Sequence, residues 1–246
     1  MFNQKSTIDV AIPLYNEESS VEKLFLELTN LINNFDENVL NFILVNDGST
    51  DKTKEKIEKF FLDFPNFTLI NHSENLNLDG FLKTIQKNCK SDYIVFLDSD
   101  CTFKPMDIIK MIDLCNKNPN FDIINGSPYH EHGLINGVKP SRLLISKTAN
   151  QIYRLLVKRE ITTYTSIFKL YKKDIFKSSE IELTGFVSVA EIFIKSLYKK
   201  AIVFEFPCEL SIRDSGESKI RIFQSMINHL KLMFKILFRK LNSNKI

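Results

Sequence analysis

"YIVFLDSD", residues 93–100, carries an apolar run straight into two aspartates one residue apart. A short run rich in β-branched and aromatic residues reads as a buried strand. A strand interior holds no water for a carboxylate, and burying one unpaired is costly. Asp98 and Asp100 therefore belong at the strand's end, where residues two apart share a side of the sheet. Their side chains are expected to converge on one cation, or on a group that a cation carries.

Working outward, the same alternation of strand and helix repeats on both sides. "TIDVAIPLY" (7–15) reads as a first strand, followed by a helix with Val21, Leu24, Phe25, Leu28, Leu31 and Ile32 at helical spacing. "LNFILV" (40–45) is a second strand, which runs into "NDGSTD" and another helix. "NFTLINH" (66–72), the quoted run and "FDIINGS" (121–127) complete five strands, with helices at "DGFLKTIQKNC" and at "PMDIIKMIDLCNKN", where Pro105 suits a first turn. This predicts an α/β fold with a Rossmann-like, mostly parallel sheet. Ligands in such folds bind at the carboxyl ends of strands. Asn16 and Glu17 follow the first strand, Asp47 to Ser49 the second, and Asp98 and Asp100 the fourth.

The second half is less regular. Residues 128–140 read as a loop, 141–159 as a basic amphipathic helix, and "YTSIFKLY", "GFVSVAEIFIKSLYKK" and "AIVFEFPCEL" as strand, helix and strand. The expected organisation is a domain over 1–219, with a nucleotide-binding half (1–127) and an acceptor half (128–219), and a basic amphipathic helix over 220–246.

Composition narrows the class. With 246 residues, 43% hydrophobic and 21 Phe, the chain can bury a sizeable core and is not disordered. A net charge of +3 gives no argument for nucleic acid. The four cysteines form no C-x-x-C pair, and the N-terminus is too polar for a signal peptide, so reduced thiols in a cytoplasmic protein are expected. No apolar run reaches the roughly 18 residues of a transmembrane helix.

Each motif has a structural reading beside a chemical one. D-x-D suits magnesium or manganese, which take oxygen ligands and often share them with phosphates, yet it also suits a solvated turn. "NDGSTD" holds a turn and a helix cap, while Asp47, not needed for either, can accept from a nucleobase or ribose. Arg213 and Lys219 bracket Gly216 in "RDSGESK", either as a phosphate-binding loop or as a solvated one. His130 and His132 read as exposed loop histidines. From Lys219 to Ile246 there are seven Lys/Arg and no Asp/Glu, with apolar residues every three or four positions. That tail fits a helix on an anionic membrane surface, one pairing two chains, or one docked on its own domain.

Taken together, "AIPLYNEE", "LVNDGSTDKT", "YIVFLDSD" and "RDSGESK", in this order and spacing, resemble family 2 glycosyltransferases of the GT-A fold, closest to the dolichyl- and polyprenyl-phosphate hexose synthase branch. The resemblance spans roughly residues 7–220. It implies that Pro13, Tyr15, Glu17 and Asp47 line the nucleotide site, that Asp98 lies near ribose and metal, and that Asp100 holds Mg2+ or Mn2+ on the donor diphosphate. Arg142 and Ser146 match an R-x3-S segment that contacts an acceptor phosphate. Arg213, Ser218 and Lys219 match a loop that closes over the phosphates, and Glu191 matches an acidic position after Gly-Phe. Three segments depart from the family pattern. "NLNLDGF" has lost most of its glycines and is expected to approach the ligand differently. Thr102 replaces a Gln, and "TYTSIF" carries Thr163 for Asp and Ile167 for Gly.

The activity so implied is an inverting, metal-dependent hexosyl transfer from a UDP- or GDP-linked sugar to a polyprenyl phosphate or related acceptor, peripheral on the inner face of the membrane. A lipid phosphate needs no general base, whereas a saccharide hydroxyl does, and Glu191 is then the candidate. Two other classes are weighed against it. A sugar nucleotidyltransferase would carry a Gly-rich basic loop after the first strand, where "PLYNEES" is acidic and glycine-free. A non-catalytic descendant that binds partners is favoured by the altered glycine loop and opposed by the intact D-x-D and basic loop.

Overall fold

The structure is a computed structural model that describes residues 6–36, 39–212 and 222–243, with side chains in the last helix described over 223–238. A seven-stranded sheet organises it. In chain order the strands are β1 (Ile8–Leu14), β2 (Leu40–Asn46), β3 (Phe67–Asn71), β4 (Tyr93–Phe96), β5 (Ile123–Ser127), β7 (Lys169–Lys172) and β8 (Val203–Pro207). Their spatial order is β3-β2-β1-β4-β7-β5-β8. Strands β1 to β4 pair in parallel, as the alternating pattern predicts. β7 is inserted antiparallel between β4 and β5, which local sequence does not announce. Because β7 and β8 lie beside β4 and β5, one sheet runs through both halves of the chain.

Helices cover both faces, so the central strands are buried on both sides and read as continuous apolar runs. On one face lie α1 (Val21–Asn33), α2 (Thr53–Phe61) and α4 (Asp107–Lys117). They bury Val21, Leu24, Leu28, Leu31, Ile57, Phe61 and Met111 against Ile8, Val10, Ile12 and Leu44. The other face carries α3 (Asn77–Asn88), α5 (Pro140–Val157) and α7 (Val187–Tyr198), with the short α6 (Lys173–Lys177) and the long α8 (Ile222–Ser243). Residues 128–140 are not all loop. They contain β6 (Leu134–Ile135), which pairs in parallel with β9 (Glu209–Leu210) as a two-stranded ribbon. Two residues are too few for a periodic signal.

Helix α8 docks on its own domain through Leu232, Met233 and Ile236. His229 Nδ1 meets the Tyr153 hydroxyl of α5 at 2.7 Å. Burial holds the His229 imidazole down at about 4, so this contact is made by a neutral ring. Lys235 and Lys195 both engage Glu182, and they hold its carboxyl down to about 2.

One core residue is out of character. Lys169 is fully buried in β7. Its Nζ donates to Ser166 O and lies 4.8 Å from the centre of the Phe193 ring. Burial pushes the ammonium down to about 7, against the pull of Glu205. A lysine lowered in the folded chain keeps its ordinary value near 10.5 when unfolded. Between those values the unfolded chain binds the extra proton, so stability rises with pH across that window. We expect Lys169→Met to stabilise the fold at pH 7 by roughly 2 kcal/mol, or about 5 °C for a chain of this size. The gain shrinks as pH climbs toward 10.5. Melting curves across pH check this, and a difference independent of pH contradicts it.

Candidate active site

The carboxyl edge of β1, β2 and β4 is assembled by loops that hold one another. The loop after β1 is laced to the loop after β2. Asn16 N donates to Ser49 Oγ at 3.0 Å, Glu17 N to Thr53 Oγ1 at 2.7 Å, and Thr50 N to Asn16 Oδ1 at 2.8 Å. Asn16 adopts φ 53°, a left-handed conformation that Asn tolerates better than most residues. Pro13 pairs with Val45 in the β1–β2 register, and both Pro13 and Tyr15 are partly exposed near Asp47 on this edge. Glu17 turns inward instead. It is buried, and its carboxylate accepts from Ser20 Oγ at 3.0 Å while its carbonyl accepts from Ser20 N and Val21 N, so it serves the entry to α1.

Asp47 is more tightly built than a turn residue needs to be. Its backbone N–H donates to Leu14 O, which continues the β1–β2 ladder one residue past the strands. Its Oδ1 meets His72 Nδ1 at 2.6 Å and accepts from Leu76 N at 2.9 Å. Gly48, at φ +67°, lets the turn lie directly against the backbone of Glu74 and Asn75.

The D-x-D pair sits beyond the strand rather than in it. β4 ends at Phe96, and residues 98–101 form a turn closed by Cys101 N to Asp98 O at 3.3 Å. Strand alternation therefore does not govern these two residues, which belong to a turn. Asp100 Oδ1 accepts from Thr102 N at 3.0 Å, and Cys101 holds φ 54°. Such conformations in non-glycine residues cost free energy and cluster at functional sites. Asp98 and Asp100 are both partly exposed and acidic, the kind of oxygen donor a hard divalent cation takes. Among the described residues no group of three or more His, Cys, Asp or Glu stands where it could hold a metal ion. Of the two loop histidines read as exposed, His132 is exposed and His130 is partly buried.

Ser211 N donates to Thr102 O at 2.9 Å, which ties the chain leaving β9 to the D-x-D turn. Arg213, Ser218 and Lys219 begin two residues later and lie outside the described residues.

The acceptor side is mixed. Arg142 and Ser146 fall one turn apart on α5, with Arg142 exposed and Ser146 partly buried near the Tyr129 hydroxyl. Burial raises the Tyr129 phenol, and the Ser146 side chain opposes that rise. Thr163 is buried, and its carbonyl accepts from Asn125 Nδ2. A carboxylate does reach this segment, but from β8. Glu205 accepts from Thr162 N at 2.8 Å and from Asn125 Nδ2 at 2.6 Å. Glu191 does not have the surroundings of a base. It is 1% exposed, its Oε2 accepts from Glu182 N and Leu183 N, and its Oε1 lies 3.0 Å from Lys195 Nζ. A carboxylate so committed braces the loop before α7.

The "NLNLDGF" stretch also differs from expectation. Asn77 takes φ 60°, the left-handed conformation usual for glycine, at a position the chain fills with Asn. Asp79 Oδ1 accepts from Gly185 N at 2.8 Å, fixing the first turn of α3 to the loop before α7. Losing glycines has not cost the backbone its left-handed turn. The residue that sequence reasoning missed is His72. It lies directly after β3, where the same strand-end rule that picked out Asp47 and Asp98 applies.

A mostly parallel sheet with an acidic turn at its carboxyl end is the arrangement of the GT-A class of α/β proteins. Solved structures of glucosyl-3-phosphoglycerate synthase from Mycobacterium tuberculosis share this fold. The complex with Mn2+, UDP-glucose and phosphoglyceric acid superposes with a TM-score of 0.70 at 15% identity, over 96% of this chain and 80% of that one. Residues 9–179 match the family profile "Glycosyl transferase family 2", and the chain belongs to that family. Dolichol-phosphate mannosyltransferase of Pyrococcus furiosus is 30% identical over 231 residues, 92% of this chain, and the chain spans 63% of that relative's length. Polyprenol monophosphomannose synthase of Mycolicibacterium smegmatis is 23% identical over 92% of this chain and 84% of its own length.

Proposed function

We propose that the chain transfers a hexose, with inversion, from a nucleotide-diphosphate sugar to a polyprenyl phosphate at a membrane surface. The observation that carries this is the joining of two elements on one edge of a mostly parallel sheet: Asp47 after β2 and the Asp98–Asp100 turn after β4. The Pyrococcus and Mycolicibacterium relatives supply the acceptor class.

In this reading Pro13, Tyr15 and Asp47 receive the nucleoside, and Asp98 and Asp100 hold Mg2+ or Mn2+. The cation, when bound, neutralises charge that builds on the departing diphosphate. Arg213, Ser218 and Lys219, which lie outside the described residues, are assigned by their match to the family's R-x2-G-x-S-K motif to supply positive charge and a hydroxyl to the phosphates. Arg142 and Ser146 on α5 take the acceptor phosphate. That phosphate is anionic before it reacts, so no side chain has to remove a proton, and the commitment of Glu191 to backbone amides agrees with this.

The membrane contact follows from what α8 leaves uncovered. Phe223, Leu230, Phe234 and Phe238 are exposed along it, and Leu144 and Leu155 along α5, with Lys231 and Lys235 on the same helix as the former. An apolar row flanked by lysines suits an anionic leaflet. No helix of the described residues is long and apolar enough to cross a membrane. We place the protein peripherally, on the cytoplasmic face.

The test is transfer of labelled hexose from UDP- and GDP-sugars, with manganese or magnesium, to a polyprenyl phosphate in detergent or to an oligosaccharide. Label in the lipid fraction with one nucleotide is the expected result. Label only in the saccharide, or in neither, sinks the acceptor assignment.

A further inference from the structure

His72 is not needed to close the turn after β2, yet it is built into it. The side chains of His72 and Asp47 are 8% and 5% exposed. His72 N donates to Asn46 O at 2.9 Å, which carries the β2–β3 ladder past the strands. Asn46 Nδ2 donates to Asn71 Oδ1 at 2.9 Å, locking the same two strand ends by their side chains. The imidazole is thereby aimed along the sheet edge. Its Nδ1 meets Asp47 Oδ1 at 2.6 Å, and its Nε2 meets Thr84 Oγ1 of α3 at 2.8 Å. A carboxylate only accepts, so the network assigns the proton to Nδ1. Leu76 N takes the same Asp47 oxygen from the opposite side. Both contacts fall on Oδ1, which sets the rotation of the carboxylate and presents Oδ2 as the oxygen those two groups leave to a ligand.

We propose that His72 is a positioning residue for nucleoside recognition. It holds Asp47 in the rotamer whose second oxygen accepts from a ring N–H of the base or from a ribose hydroxyl. The proposal rests on the reading of this edge as the donor site. His72 acts through Asp47 and touches no reacting atom. Its contribution is therefore to affinity for the nucleoside and not to the chemical step.

The experiment is calorimetric titration of UDP and GDP, with manganese, into wild type and four variants. Asp47→Ala removes the acceptor, and a loss of more than ten-fold is expected for the preferred nucleotide. His72→Phe keeps ring volume without a donor and is expected to weaken binding about ten-fold. His72→Asn places a donor where Nδ1 stands and is expected to stay within about two-fold of wild type, although it too loses the Thr84 contact. Thr84→Val, which removes only that contact, is also expected within about two-fold. Equal losses in His72→Phe, His72→Asn and Thr84→Val assign His72 a structural tie between β3 and α3 and overturn the proposal. Wild-type affinity in His72→Phe, with Asp47→Ala impaired, overturns it while leaving the donor site intact. Unchanged affinity in Asp47→Ala, or no binding to wild type, overturns the donor-site reading and this proposal with it.

Discussion

Asp100→Asn is expected to retain the fold and lose about three orders of magnitude of transfer activity. An asparagine side-chain oxygen can still accept from Thr102 N, the bond that Asp100 Oδ1 makes at 3.0 Å. The turn and its left-handed Cys101 therefore survive the change. What disappears is one negative charge on a partly exposed pair of carboxylates. A divalent cation contributes several kcal/mol of charge stabilisation at a departing phosphate, and each 1.36 kcal/mol is about ten-fold in rate. The matching equilibrium result is a thermal shift. Wild type should gain stability from one of UDP or GDP only when manganese is present, and Asp100→Asn should gain little from either. A variant that melts as wild type does and still shows the metal-dependent shift would place the cation elsewhere. Wild type unmoved by any nucleotide would favour a descendant that binds partners without transferring sugar.

The parallel part of the sheet is legible because β1, β2 and β4 are largely buried and β1 to β4 are separated by helices with clear 3.6-residue spacing. β7 was not readable as antiparallel. Its neighbours β4 and β5 are distant in sequence, and direction is set by which edge remains open once the parallel strands have formed. The site was partly legible for the same topological reason. Strand ends gather on one edge, so Asp47, Asp98 and Asp100 could be named together. Asp98 and Asp100 reach that edge through a turn after Phe96 and not through strand alternation, which local sequence does not reveal. Glu191 shows the opposite failure. An acidic residue after Gly-Phe looks chemical in sequence, and only the structure shows its Oε2 held by Glu182 N and Leu183 N and its Oε1 beside Lys195 Nζ. The tail admitted several readings because one helix serves two faces. Leu232, Met233 and Ile236 dock, while Phe223, Leu230 and Phe234 stay exposed.

Gly48→Ala tests how far the donor site depends on backbone alone. A Cβ at Gly48 would lie 2.3 Å from Glu74 C and 2.6 Å from Asn75 N, at a φ of +67°. Both obstacles are backbone, so no side chain can swing away, and the loop from His72 to Leu76 has to move. Gly185→Ala supplies the comparison, because Gly185 has φ +83° but a Cβ there meets nothing within 4 Å. The left-handed conformation alone costs about 1–2 kcal/mol in a side-chain-bearing residue. Forcing atoms into filled space adds roughly 1–3 kcal/mol. Gly185→Ala should therefore lose about 1 kcal/mol and Gly48→Ala about 3 kcal/mol, a gap visible by urea denaturation. Nucleotide binding should separate them further. Leu76 N and His72 both hold Asp47 Oδ1, so displacing their loop misplaces the carboxylate, and only Gly48→Ala should weaken binding among the molecules still folded. If the two alanine variants are equally stable and bind nucleotide alike, the close approach of residues 74–75 to the turn is not what holds Asp47 in place, and the order of this edge must come from the β1–β2 lacing at Asn16 and Thr53.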